Sequence, residues 1–251
     1  KLNIDKLISH TFDFNNAPKA YDIIVEKSEQ FLGILLSYDL SNELKKTVRI
    51  SEKSFEPHAA NIGLIGAGSF AQNFLLPALK GNAGMVTLAT ARPNNAKNIG
   101  ERYGFATISG NVEDVFSDKR LNTVFIATRH DSHAGYVLRA LESDKNVFVE
   151  KPLCLHPDEL DAIRRAYEDR NVRLMVGFNR RFAPFTKKVK EQHASGGPVA
   201  IHYRINAGNV PADHWVHDPN VGGGRIVGEA CHFIDYCMFL AGAPITSVSA
   251  T

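Results

Sequence analysis

An apolar run, Asn61-Ile-Gly-Leu-Ile65, passes directly into Gly66-Ala-Gly68-Ser-Phe-Ala71 and then into a helical pattern reaching Lys80. No other stretch restricts the fold as much. Gly66 permits the tight turn, Gly68 lets backbone come close to a pyrophosphate, and Ala71 lets the helix pack on its strand. Free N–H groups and the helix dipole at the helix start favour an anion there. A glycine turn alone is as often purely structural. Here the strand before it, the helix after it and the alternation that follows predict a dinucleotide site made by Gly66, Ala67, Gly68, Ser69 and Phe70.

The alternation continues along the chain. Strands are expected at 85–90, 107–109, 122–128, 146–150 and 173–177, and helices at 98–103, 112–116, 134–143 and 157–167. This order predicts the α/β class, a doubly wound parallel sheet over residues 59–183. A NAD site often has a carboxylate at the end of its second strand, yet no Asp or Glu occurs from Pro57 to Gly100. Thr90, Arg92 and Asn94 stand there instead. Arg92 is suited to the 2′-phosphate of NADP, which favours NADP over NAD; alternatively Arg92 is solvated and the ribose rests on Thr90 or on backbone.

Ligands of open α/β sheets gather at the C-terminal strand ends, which places Thr128-Arg-His-Asp-Ser-His133 near a nicotinamide. Thr128 and His133 are the expected contacts, although His133 equally suits a packing role at the start of its helix. Glu150-Lys151-Pro152 closes the next strand. Partial desolvation at the sheet mouth suits Lys151 to giving or taking a proton near neutrality, the alternative being a phosphate or ribose contact. The Lys151-Pro152 bond is a candidate cis peptide.

At Glu150-Lys-Pro152, after Gly66-x-Gly68-x-x-Ala71 and Ala127-Thr128, the chain resembles the Gfo/Idh/MocA oxidoreductases, with support from Gly177-Phe-Asn-Arg-Arg-Phe182 and from the stretch Gly222 to Asp235. The resemblance implies a Rossmann domain followed by an α+β substrate domain whose open antiparallel sheet often forms a homo-oligomer interface. It implies hydride transfer between NAD or NADP and a hydroxyl or ketone of a sugar, cyclitol or nucleotide sugar. Lys151 would hold the reacting oxygen, with Glu150 orienting it beside the cofactor.

Residues 184–251 are expected to be the incomplete start of that substrate domain. Val199 to Ile205 alternates like a half-buried strand, and residues 206–224 form a long loop in which Trp215 is suited to stacking on a sugar face. Arg180 and Arg181, beside aromatics at a strand end, suit an anionic or polyhydroxylated substrate, or else a helix surface. Glu229, His232 and Asp235 fall at i, i+3 and i+6 on a helix, so His232 is placed to relay a proton, Glu229 to orient it and Asp235 to meet substrate. Many family members carry a carboxylate four residues before this histidine. Here that position is Gly228. Asp213, His214, His217 and Asp218 lack a metal-ligand spacing, and no metal is expected.

Residues 1–55 precede the nucleotide-binding strand. Leu7 to Phe14 followed by Ala17 to Ile24 resembles the C-terminal tail of zinc-type medium-chain alcohol dehydrogenases, which would make the chain part of a fusion; the alternative is an arm packed on the main domain. Ser51 to His58 reads as the linker.

Composition narrows the partners. A net charge of +2 with no run of Lys or Arg longer than two argues against a nucleic-acid surface. No stretch approaches roughly 20 apolar residues, which argues against a membrane span. Cys154, Cys231 and Cys237 are odd in number and without C-x-x-C spacing, so reduced thiols in a cytoplasmic protein are expected. Two further readings stay open: a non-catalytic dinucleotide- or sugar-binding regulatory module, and an inactive portion of a bifunctional fusion.

Overall fold

The computed structural model describes residues 4–39, 46–56, 59–91, 96–193 and 197–250. Arg92 and Asn94, expected beside the ribose, lie outside the described residues, as do Pro57 and His58 at the end of the expected linker. Two compact units are present, Lys1–Lys45 and Lys46–Thr251.

The first unit is a β-α-β element. Strand β1 (Ile8–Asp13) leads through a short 3-10 turn into helix α1 (Ala17–Glu26), and β2 (Gly33–Ser37) pairs parallel with β1. The Asp13 side chain accepts from the Asn15 N–H at 2.9 Å and so supports the turn into the helix.

The second unit is built on a seven-stranded sheet. Its strands are β3 (Thr47–Arg49), β4 (Asn61–Ile65), β5 (Gly84–Ala89), β6 (Thr107–Ser109), β7 (Thr123–Ile126), β8 (Asn146–Val149) and β9 (Leu174–Val176), in the spatial order β3-β6-β5-β4-β7-β8-β9. Six strands are parallel, and β3 closes one edge antiparallel to β6. The helices between them are α2 (Leu76–Leu79, entered through a π-helical turn at Ala71–Leu75), α3 (Ala96–Tyr103), α4 (Glu113–Ser117), α5 (His133–Glu142) and α6 (Pro157–Glu168). All five residues of β4 are buried, as a strand covered on both faces requires. One face packs Ile65, Val86, Val124, Ile126, Val147 and Val149 with Val137, Leu141 and Ile163. The other packs Ile62, Leu64, Met85 and Leu88 with Ile99, Tyr103 and Phe105. Each fully buried side chain of this kind stabilises by about 1.5–3 kcal/mol. The strand order reverses between β4 and β7, and a crevice at such a switch point is where open α/β sheets bind ligands.

After β9 come α7 (Pro184–Gln192) and α8 (Cys231–Ala241), the latter entered through a second π-helical turn at Ile226–Ala230. The expected strand at Val199–Ile205 is not formed. Among the described residues no strand follows Val176. Alternation predicts a face, but a strand also needs a hydrogen-bonding neighbour. Here the alternating face lies on α8, with the Tyr203 ring 5.7 Å from Phe233 and 5.4 Å from Tyr236. No described helix is long and apolar enough to cross a membrane.

Candidate active site

The glycine turn leaves the C-terminal end of β4 and is fixed by backbone sterics. Gly66 has φ +90°, and a Cβ there would lie 2.4 Å from the carbonyl oxygen of Ala127 at the end of β7. Only glycine satisfies both conditions. A Cβ on Gly68, by contrast, would meet nothing within 4 Å. That open flank lies at the N-terminal end of a helix beginning at Ser69, where free N–H groups and the helix dipole favour an anion. Ala71 is buried against the sheet, and the Gln72 amide donates to the Ala67 carbonyl at 2.7 Å, bracing the turn. Phe70 is partly exposed and tilts against Phe74 at 5.2 Å. Thr90 follows β5, its N–H bonded to the Ser109 carbonyl at 3.0 Å.

At the end of β7, Thr128 exchanges a hydroxyl hydrogen bond with Ser132 at 2.7 Å. His133, expected at the cofactor, is fully buried, so that expectation is corrected. Its Nδ1–H donates to the Pro152 carbonyl at 2.7 Å, and its Nε2 lies 3.3 Å from the Thr128 carbonyl. Carbonyls only accept, so the neutral ring gives its single proton to the shorter contact. Burial keeps the ring neutral by lowering its pKa. His133 therefore ties the β7 end to the segment after β8.

That segment carries Glu150, Lys151 and the cis bond to Pro152. Burial pushes the Glu150 carboxyl up to about 7 despite the adjacent Lys151. Glu150 fits only because Gly177 has no side chain, since a Cβ there would lie 2.9 Å from a carboxylate oxygen. Lys151 is half-buried and donates to the Gly228 carbonyl at 3.0 Å. Gly228 belongs to the π-helical turn before α8, and a Cβ on it would lie 2.5 Å from the Gly222 carbonyl and 3.2 Å from the His130 ring. A carboxylate side chain at position 228 has no room here. A backbone carbonyl meets the lysine instead.

The π-helical turn also changes the expected face. Glu229 lies within it, whereas His232 and Asp235 lie on the regular turns of α8. Glu229 pairs with Arg225 rather than orienting His232. The His232 Nδ1 is buried with no hydrogen-bond partner among the described residues. Burial, with Arg180 and Lys151 nearby, lowers its pKa to about 4. Asp235 is 7% exposed and forms a two-pronged ion pair with Arg181, Nε to Oδ2 at 2.7 Å and Nη2 to Oδ1. Their polar groups serve each other rather than standing open to substrate. Arg180 is exposed, its guanidinium 4.6 Å from the Phe233 ring centre.

Lys151, Glu229 and Trp215 share one cavity of about 360 Å³ with His130, Asn209 and His214. Trp215 packs edge-on to His130 at 4.8 Å, and the Arg129 guanidinium lies 5.7 Å from its ring centre. His130 and Asn209 are absent from the residues singled out by sequence. The position of His130, two residues past Thr128 at a strand end, was the available signal; nothing local marks Asn209.

Residues 60–178 match the oxidoreductase family with NAD-binding Rossmann fold, GFO_IDH_MocA. An oxidoreductase of Formosa agariphila is 35% identical over 187 residues, 70% of this chain and 58% of that protein. D-xylose 1-dehydrogenase (NADP(+)) 2 of Haloferax volcanii is 28% identical over 72% of this chain and 57% of its own length. A solved levoglucosan dehydrogenase in complex with NADH and levoglucosan superposes with a TM-score of 0.64 at 28% identity, covering 72% of this chain and 54% of that one. The chain thus spans somewhat more than half the length of these relatives. Residues 60–178, whose glycine turn and strand order form a NAD-binding Rossmann fold, belong to the Gfo/Idh/MocA oxidoreductase family.

Proposed function

We propose that the chain acts as a cytoplasmic NAD(P)-dependent dehydrogenase or reductase on a carbinol or ketone carbon of a sugar, cyclitol or nucleotide sugar. One observation carries this reading: Lys151, at the C-terminal end of β8, lines a cavity with Trp215 and Glu229 and is anchored by the Gly228 carbonyl. Gly66, Ala67, Gly68 and Ser69 would hold the pyrophosphate, and Thr90 and Thr128 lie at the strand ends along which the cofactor would extend. A bound nicotinamide would exchange hydride with the carbinol carbon. Lys151 donates to the reacting oxygen and fixes its position, while Trp215 gives a flat face for an apolar side of the sugar. Lys151 and the neutral His232 together handle the hydroxyl proton. Arg92 favours NADP as the cofactor. The relatives support a small polyol, their names including a xylose and a levoglucosan dehydrogenase. On this reading residues 1–55 would be a segment similar to the tail of a zinc-type dehydrogenase.

The test is a fluorescence titration of NADH and NADPH, followed by turnover on a panel of sugars and cyclitols, for the full chain and its Lys151→Ala and Arg92→Ala variants. Cofactor binding that survives Lys151→Ala while turnover is lost supports the reading. Unchanged turnover in Lys151→Ala rejects the proton role, and NADPH binding indifferent to Arg92→Ala rejects the NADP preference.

A further inference from the structure

The cavity beside Lys151 contains a second polar group with a defined hydrogen-bonding sense. His130 is 8% exposed, and its Nδ1 lies 2.9 Å from the Gly222 carbonyl. A carbonyl can only accept, so Nδ1 carries the proton. Burial, aided by the nearby His133 and Lys151, lowers the pKa of the ring to about 4. At neutral pH the ring therefore has one proton, already committed, and Nε2 has a bare lone pair. Trp215 holds the ring edge-on, and Gly228 lies flat against it because a Cβ would come within 3.2 Å. The carbonyl of that same Gly228 anchors Lys151. One residue's backbone thus sets a pure donor and a pure acceptor side by side in one cavity.

We propose that His130 is a substrate-recognition residue: its Nε2 accepts a hydrogen bond from the hydroxyl on the carbon next to the one oxidised, so the site selects vicinal diols. The inference rests on the oxidation of a polyol at Lys151. A hydroxyl at the reacting carbon receives from Lys151, and its neighbour donates to His130. A buried acceptor left unpaired by a substrate lacking that hydroxyl costs affinity, which is how such sites discriminate.

Two substitutions separate recognition from packing. In His130→Asn the amide NH₂ can still donate to the Gly222 carbonyl, but nothing reaches the Nε2 position. In His130→Gln the longer side chain returns an amide oxygen to that position. The probes are trans-1,2-cyclohexanediol and cyclohexanol, since oxidation of either hydroxyl of the diol leaves a neighbour. The unsubstituted full chain should prefer the diol in kcat/KM by about tenfold or more. His130→Asn should lose that preference, chiefly through KM, and His130→Gln should keep most of it. Calorimetric binding of both probes to the cofactor-loaded chain should show the same ranking without turnover. A preference retained in His130→Asn, an equal fall on both probes, or equal affinity for the two overturns the proposal. A diol preference that persists while Lys151→Ala turns over normally overturns the proton role of Lys151 and leaves His130 in place.

Discussion

The amino group of Lys151 donates to the backbone carbonyl of Gly228 at 3.0 Å, although 77 residues separate them in sequence. The lysine at the sheet mouth is thus registered against the turn that starts α8. Because a backbone oxygen makes the contact, substitution at 228 acts through space rather than through charge. Gly228→Asp should not supply a working carboxylate beside Lys151. Its Cβ would overlap the Gly222 carbonyl at 2.5 Å and press on His130, which must shift the loop. The expected outcome is a loss of about 1–3 kcal/mol in denaturant unfolding and a fall in turnover, with Gly228→Ala behaving similarly. An Asp variant as stable as the parent and more active would contradict this account.

Glu150 makes stability depend on pH in a defined direction. Its folded-state pKa of about 7 lies above the ordinary carboxyl value of 4.5, so its contribution is fully present below pH 4.5 and is lost as pH rises towards 7. Glu150→Gln removes the ionisation and keeps the shape. The variant should match the parent in chemical unfolding near pH 4.5 and exceed it by about 2–3 kcal/mol at pH 8. Equal stability at pH 8 would show that Glu150 ionises freely. Gly177→Ala, which crowds the same carboxyl, should destabilise at both pH values.

Most of the nucleotide-binding half was legible in sequence, because the turn residues and the apolar runs of β4 to β9 act locally. Gly66, Gly68 and Ala71 carry their roles in their own backbone and size. The edge strand β3 was not legible: Thr47–Arg49 is three residues long, and only its pairing with β6 makes it a strand. The face shared by Glu229, His232 and Asp235 was misread because helical spacing assumes a regular turn, and the π-helical turn at Ile226–Ala230 breaks it. His133 reads as a cofactor contact in sequence because a histidine near a strand end is chemically suggestive. Its two carbonyl partners, Thr128 and Pro152, become visible only when the loops meet.

His133 should therefore behave as a structural tie. His133→Ala removes a buried ring and leaves the Pro152 carbonyl without its donor, and should cost about 2–5 kcal/mol in denaturant unfolding. His133→Asn, which can keep the donor to Pro152, should recover part of that loss. Acidification should act in the same direction. The histidine pKa is lowered in the folded state, so its stabilising contribution is present above the ordinary value of 6.5 and declines as pH falls below it. If His133→Ala left stability intact but abolished cofactor binding, a direct contact with the cofactor would be the better explanation.

The Arg181–Asp235 pair joins the short 3-10 turn after β9 to the middle of α8, one helical turn beyond His232. Asp235 is almost fully buried and Arg181 is about one-third exposed, so the pair is screened on one side only. Removing either partner leaves the other charge poorly compensated, whereas removing both does not. Asp235→Asn and Arg181→Gln should each destabilise by about 1–3 kcal/mol, and the double variant by clearly less than their sum. If the pair also holds α8 in register with Lys151, each single variant should lose turnover while NADH binding at the distant glycine turn persists. Strict additivity would show that the two side chains do not share an interaction that matters. Loss of NADH binding in step with turnover would place the effect on the whole fold rather than on the position of His232.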